Sequence, residues 1–174
     1  MKLKNYLLIF IFLLASPVLS FGQETNESDQ KLEREEKISY SFFNEYGLST
    51  GVSFDGVPYY EITGVFVNSI CFNKKQDIGI GIGCDFFKVV MVIAFPVFVN
   101  YRHYFTSQTN LKPLINVALG TQISICGEAG LYSTIAGGFR YKALSFTSGF
   151  SIKSFSFDNT NYFGGVEIKV GYAF

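Results

Sequence analysis

From Ile38 to Phe174 apolar and polar residues alternate with a period of two, in eight successive segments. In the first, about 38–54, Tyr40, Phe42, Tyr46, Leu48, Val52 and Phe54 share one parity, and Ser39, Ser41, Glu45, Gly47, Ser49, Gly51 and Ser53 the other. The third, 76–87, sets Ile78, Ile80, Ile82, Cys84 and Phe86 against Asp77, Gly79, Gly81, Gly83 and Asp85. The eighth, about 161–174, sets Ile168, Val170, Tyr172 and Phe174 against Glu167, Lys169, Gly171 and Ala173. Segments at about 91–105, 112–124, 130–142 and 143–153 repeat the pattern. The segment at about 58–72 is apolar on both parities and cannot be assigned a face. Period two is the signature of strands with one apolar face.

Two architectures place one apolar face on every strand. In a β-sandwich that face meets a core and the polar face meets water. In a membrane barrel it meets lipid, and the polar face fills the lumen. The polar parity here is mostly Gly, Ala, Ser and Thr, the small residues a narrow barrel interior needs. Its sparse charges carry both signs: Glu45, Asp77, Asp85, Arg102, Arg140, Lys142, Lys153, Glu167 and Lys169. Such a set can pair inside a lumen, where a lone charge is costly. Aromatics near segment ends (Tyr40, Tyr101, Phe105, Tyr141, Tyr162, Tyr172, Phe174) suit interfacial girdles. Tight turns at 72–76 and 141–143 contrast with longer stretches at 124–130 and 154–161. This predicts short turns on one side, with both termini, and longer loops on the other. The expectation is an all-β, eight-stranded antiparallel up-and-down transmembrane barrel over 38–174, with the sandwich as its alternative.

The chain start changes the picture next. Lys2 and Lys4 precede an apolar run from Tyr6 to Ala15, then Ser16-Pro17-Val18-Leu19-Ser20-Phe21-Gly22. That is the layout of a secretory signal peptide, here 1–22. Residues 23–37 are polar and acid-rich and read as a flexible periplasmic leader. Three cysteines, Cys71, Cys84 and Cys126, do not suggest a disulfide framework. With 14 basic and 14 acidic residues, nothing in the balance points to nucleic acid.

Four stretches resemble a known family. They are the terminal strand Val166-Glu167-Ile168-Lys169-Val170-Gly171-Tyr172-Ala173-Phe174, the stretch Phe95 to Phe105 (FPVFVNYRHYF), Gly79-Ile80-Gly81-Ile82-Gly83, and Ala136-Gly137-Gly138-Phe139-Arg140-Tyr141. They are similar to the small eight-stranded outer-membrane β-barrels, the opacity-protein-like and OmpX/OmpW-like group. The resemblance implies a Gram-negative outer membrane and a lipid bilayer as surroundings. It also implies that Ile168, Val170, Tyr172 and Phe174 form the signal read by the barrel-assembly machinery. Members serve as adhesins, structural proteins, small channels and enzymes, so it does not fix a function.

Chemistry is thin. Lipid-A-modifying barrel enzymes need a His with a nearby Ser, and commonly an acid. His103 in Arg102-His103-Tyr104-Phe105 falls on the apolar parity, with no Ser two residues on. A girdle role fits it better than catalysis. Scattered cysteines and one His lack metal-ligand spacing, so no metal or cofactor is expected. The Gly79–Gly83 run lacks the Lys-Ser/Thr of a phosphate loop and alternates as a strand. Glu45, Asp77, Asp85, Arg102, Arg140, Lys142, Glu167 and Lys169 are expected to form a lumen charge network, a salt-bridged plug rather than a channel. Pro96 predicts a bulge or kink, and Asp55, Glu128 and Asp158 are the expected outward loop contacts. The resulting expectation is a monomeric, non-catalytic barrel with a structural or surface-interaction role. A small pore or hydrophobic-solute conduit is the alternative, with a lipid-A-modifying enzyme behind it.

Overall fold

The computed structural model describes residues 38–53, 55–72, 74–88, 91–106, 110–156 and 160–174. The expected signal peptide, the leader and Asp158 lie outside the described residues. Eight strands follow one another: β1 (Ser39–Ser53), β2 (Pro58–Phe72), β3 (Gln76–Phe87), β4 (Val92–Tyr104), β5 (Leu111–Ser124), β6 (Ala129–Tyr141), β7 (Leu144–Ser156) and β8 (Thr160–Ala173). Each pairs antiparallel with the next, and β8 closes on β1 from Phe43↔Ala173 to Ser53↔Phe163. No sheet edge is left open, which is what a strand structure in hydrocarbon requires.

The register fixes the barrel's size. Directly paired lumen residues run Phe43, Val67, Gly81, Phe98, Gly120, Tyr132, Lys153, Phe163 and back to β1 at Ser53. One circuit therefore displaces the chain by ten residues, from Phe43 to Ser53. Eight strands with that stagger tilt by roughly 40° and enclose a space just wide enough for side chains to fill.

Packing inside depends on matching large residues to missing ones. Phe98 stacks on Tyr132, with ring centroids 4.8 Å apart. A Cβ on Gly81 would fall on the Phe98 ring, and one on Gly83 would stand 2.6 Å from Val65 Cγ1. The alternating glycines of β3 thus leave room for the bulk of β2 and β4.

Two expectations about the chain path are corrected. At Pro96 there is no bulge. The β3–β4 ladder skips from Ile82↔Val97 to Asp85↔Ala94 without a change of register. The missing proline donor is absorbed as a local gap in pairing. Nor do short turns and long loops segregate to opposite sides. The rim where β1 begins and β8 ends (the near rim) has connections 73–75, 105–110 and 142–143. The far rim has 54–57, 88–91, 125–128 and 157–159. The stretch read as a long loop after Ser154 is ladder instead, through Ser154↔Tyr162 and Phe155↔Asn161.

Candidate functional site

Burial is inverted relative to a water-soluble protein. Arg102 and Lys153 are 0% exposed, while Leu48, Ile80 and Phe150 are 65%, 65% and 66% exposed. The outward parity of every strand carries such apolar side chains. Toward the near rim it carries Tyr40, Phe42, Tyr101, Phe105, Tyr141, Tyr172 and Phe174; Tyr60 and Tyr162 stand toward the far rim.

The lumen is layered. At the far rim Tyr59, Phe87, Ala94, Phe155 and Phe163 form an apolar cluster. Phe87 and Phe155 meet edge to face at 5.1 Å, and Tyr59 and Phe163 at 5.4 Å. Beneath it the Lys153 ammonium is paired with Glu61 and, at 2.8 Å, with Asp85. Thr63 donates its hydroxyl to the second Asp85 oxygen at 2.5 Å. The same ammonium stands 4.9 Å from the Tyr132 ring centroid, so its hydration is replaced by two carboxylates and an aromatic face. Glu167 accepts from Lys169 on the same strand at 2.9 Å.

Toward the near rim, Arg102 pairs with Glu45 at 2.6 Å and lies 4.2 Å from the Phe43 ring centroid. Asn100 donates to Asn116 at 2.7 Å. Tyr104 donates to Asp77 at 3.0 Å, and Arg140 approaches the Tyr104 hydroxyl at 3.4 Å.

The direct ion pairs and hydrogen bonds among the eight residues expected as one network fall into groups. Asp85 pairs in the far cluster, Glu45 with Arg102 toward the near rim, and Glu167 with Lys169, whose ammonium also lies in the field of Glu45 and Asp85. Asp77 and Arg140 are linked through Tyr104. Lys142 is a correction. It sits exposed in the β6–β7 turn with φ 53°, because β6 ends at Tyr141 and the parity is lost there. Glu61 was missed, because it lies in the segment whose two parities look alike. The signal that finds it is the register, Glu61↔Ser49 and Glu61↔Phe87, which places it inward.

The remaining candidates fall as follows. His103 is half-buried with its ring 5.3 Å from that of Phe105, across the strand from Gln76 and Ile115. Ile168, Val170, Tyr172 and Phe174 all face outward, and Tyr172 and Phe174 meet at 4.8 Å. Asp55 is exposed, and Glu128 is half-buried beside Ser124 in the far-rim turns. Cys71, Cys84 and Cys126 are unbridged. Among the described residues no His, Cys, Asp and Glu converge as metal ligands would.

A closed antiparallel barrel with an apolar exterior and a charged, filled interior has the fold of the small eight-stranded outer-membrane β-barrels. Among solved structures the chain is similar to Neisserial surface protein A, with a TM-score of 0.56 at 10% identity, covering 79% of this chain and 99% of that one. It also matches a de novo designed transmembrane β-barrel (TM-score 0.44, 10% identity, 82% of this chain and 100% of that one). A third match is Ail, the attachment invasion locus protein of Yersinia pestis (TM-score 0.40, 14% identity, 81% and 100%). Neither a family profile nor a curated protein sequence matches the chain.

Proposed function

We propose that this chain is an integral, monomeric β-barrel of a Gram-negative outer membrane, without catalysis, serving a structural or surface-interaction role. The inverted burial supports it above all: lysine and arginine at 0% exposure inside, Ile80 and Leu48 at 65% outside. In water the exposed apolar belt would drive aggregation. In a bilayer the same belt is the solvated face, and the paired lumen charges are the protected ones. Export is by the signal peptide at 1–22, and assembly is by the barrel-assembly machinery reading Ile168, Val170, Tyr172 and Phe174. The near rim, where β1 begins and β8 ends, then faces the periplasm, and the far-rim turns with Asp55 and Glu128 face outward.

The non-catalytic part of the reading rests on His103, which leans on Phe105 at the outer wall rather than facing the lumen carboxylates. Heat-modifiable migration on a detergent gel tests the barrel, with a faster-migrating folded form expected before boiling. A detergent-independent, water-soluble monomer would overturn it. Deletion of the gene should leave lipid-A acylation unchanged, and an altered acylation pattern would restore the enzyme reading.

A further inference from the structure

Four buried oxygens of the lumen stand together without a hydrogen-bond partner among the described residues. Ser49 of β1 pairs directly with Glu61 of β2 on one side and with Glu167 of β8 on the other. Residues so opposed set their side chains side by side, and these three are only 4%, 1% and 1% exposed. Glu61 Oε1 accepts from Lys153, and Glu167 Oε1 accepts from Lys169. Glu61 Oε2, Glu167 Oε2 and the Ser49 hydroxyl between them are left over. One row toward the far rim, Tyr59 pairs with Gly51, and Gly51 with Gly165. The buried Tyr59 hydroxyl reaches across to β8, where a Cβ on Gly165 would stand 2.4 Å from it. It is the fourth oxygen without a partner, and Gly165 lies two residues along the same face from Glu167. One row the other way, the Lys169 stem covers Gly47, whose added Cβ would meet Lys169 Cγ at 2.6 Å.

Charge is left over at the same place. Three carboxylates, Glu61, Asp85 and Glu167, share two ammonium groups, Lys153 and Lys169. Both Asp85 oxygens are taken, by Thr63 and Lys153, so the free acceptors of the surplus charge are on Glu61 and Glu167. An uncompensated buried charge is costly, and each buried oxygen without a partner adds to that cost. A proton would neutralise one carboxylate but would not join oxygens that make no hydrogen bond to one another. A water would offer hydrogens but no charge. A small cation supplies both the charge and the contacts.

We infer that Glu61, Ser49, Glu167 and Tyr59 form a binding site for one monovalent alkali cation of sodium size, held inside the lumen. Carboxylate and hydroxyl oxygens are the ligands that hard cations take. Only the surplus of one negative charge needs balancing, which suits a single positive charge. The inference needs the closed barrel and goes beyond the outer-membrane reading of its surroundings.

The test follows urea unfolding of the full chain refolded in detergent, read by circular dichroism. Sodium chloride is compared with tetramethylammonium chloride at equal ionic strength, so that screening is matched and only the small cation differs. Sodium should raise the unfolding midpoint saturably. At ten times its dissociation constant it should shift the equilibrium about elevenfold toward the folded barrel. Glu61→Gln, which removes the surplus charge, should abolish the sodium effect. Ser49→Ala and Tyr59→Phe should each raise the sodium concentration that gives half the shift, whereas a purely structural role would lower the midpoint equally in both salts. Equal midpoints in the two salts at every concentration, as bound water or a proton alone would give, overturn the inference. A sodium effect of undiminished size and affinity in the variants overturns it too. The strand signal before urea is added reports the barrel separately. Should Glu61→Gln not refold, the two hydroxyl variants decide by the same criterion.

Discussion

At Lys153 one buried ammonium serves two buried carboxylates, and the energetic consequence is asymmetric. Lys153→Ala leaves Glu61 and Asp85 facing each other without a cation, a change worth on the order of 3–5 kcal/mol for a broken buried pair. Equilibrium unfolding in denaturant, read by gel migration, should show that loss. The triple variant Lys153→Met, Glu61→Gln, Asp85→Asn should recover most of it, because no uncompensated charge remains. Equal stability of the single and triple variants would count against the pairing. Gly81 makes a steric counterpart. Gly81→Val drives two branches into the Phe98 ring and should destabilise by roughly 1–3 kcal/mol, as overpacking does. Adding Phe98→Ala should relieve part of this cost, a coupling that a double-mutant cycle measures.

Among the elements, β8 carries most of the closure. It pairs with β7 from Thr160 to Tyr172 and with β1 from Phe163 to Ala173. Its end is fixed on both sides: Ala173 N donates to Ala143 O at 2.7 Å, and Phe174 N donates to Phe42 O at 2.9 Å. Phe174→Ala keeps these backbone bonds and removes the outward ring that meets Tyr172 edge to face. It should therefore lower the yield of membrane-assembled protein in cells more than the stability of barrel refolded in detergent. Equal effects on both would assign Phe174 to packing alone. The β3–β4 pair is the weak seam, since its ladder lapses between Ile82↔Val97 and Asp85↔Ala94.

For the whole molecule, the inside-out distribution of polarity sets its solvent. Ile80 lies mid-strand on the outer wall, so Ile80→Lys should cost about 2–4 kcal/mol in a bilayer, as a lysine facing lipid near the midplane does. In a water-exposed position the same change would be neutral, and a neutral result would favour a soluble sheet. The filled lumen gives a second expectation. Tyr59, Phe87, Phe155 and Phe163 close the far end, and Lys153 and Arg102 occupy the layers below. Planar-bilayer recordings should show no steady conductance at high protein dose, whereas discrete channels would bring back the conduit.

By itself the sequence determined that the chain makes eight strands and which face of most of them is apolar. Period-two patterning is a local property, imposed by alternating side-chain directions along one strand. Small residues on the opposite parity, with charges of both signs, further favoured a lumen over a solvated face. Pairing was not local, and only the tertiary structure decided it. Glu61 became an inward acid through its register with Ser49 and Phe87, not through the pattern around it. The direct ion pairs of the lumen charges fall at different heights because the stagger from Phe43 to Ser53 offsets residues of like parity. Lys142 left the lumen because a turn ends parity, and the longer loop after Ser154 vanished into ladder. Alternation states which way a side chain points; shear and closure state what it meets there.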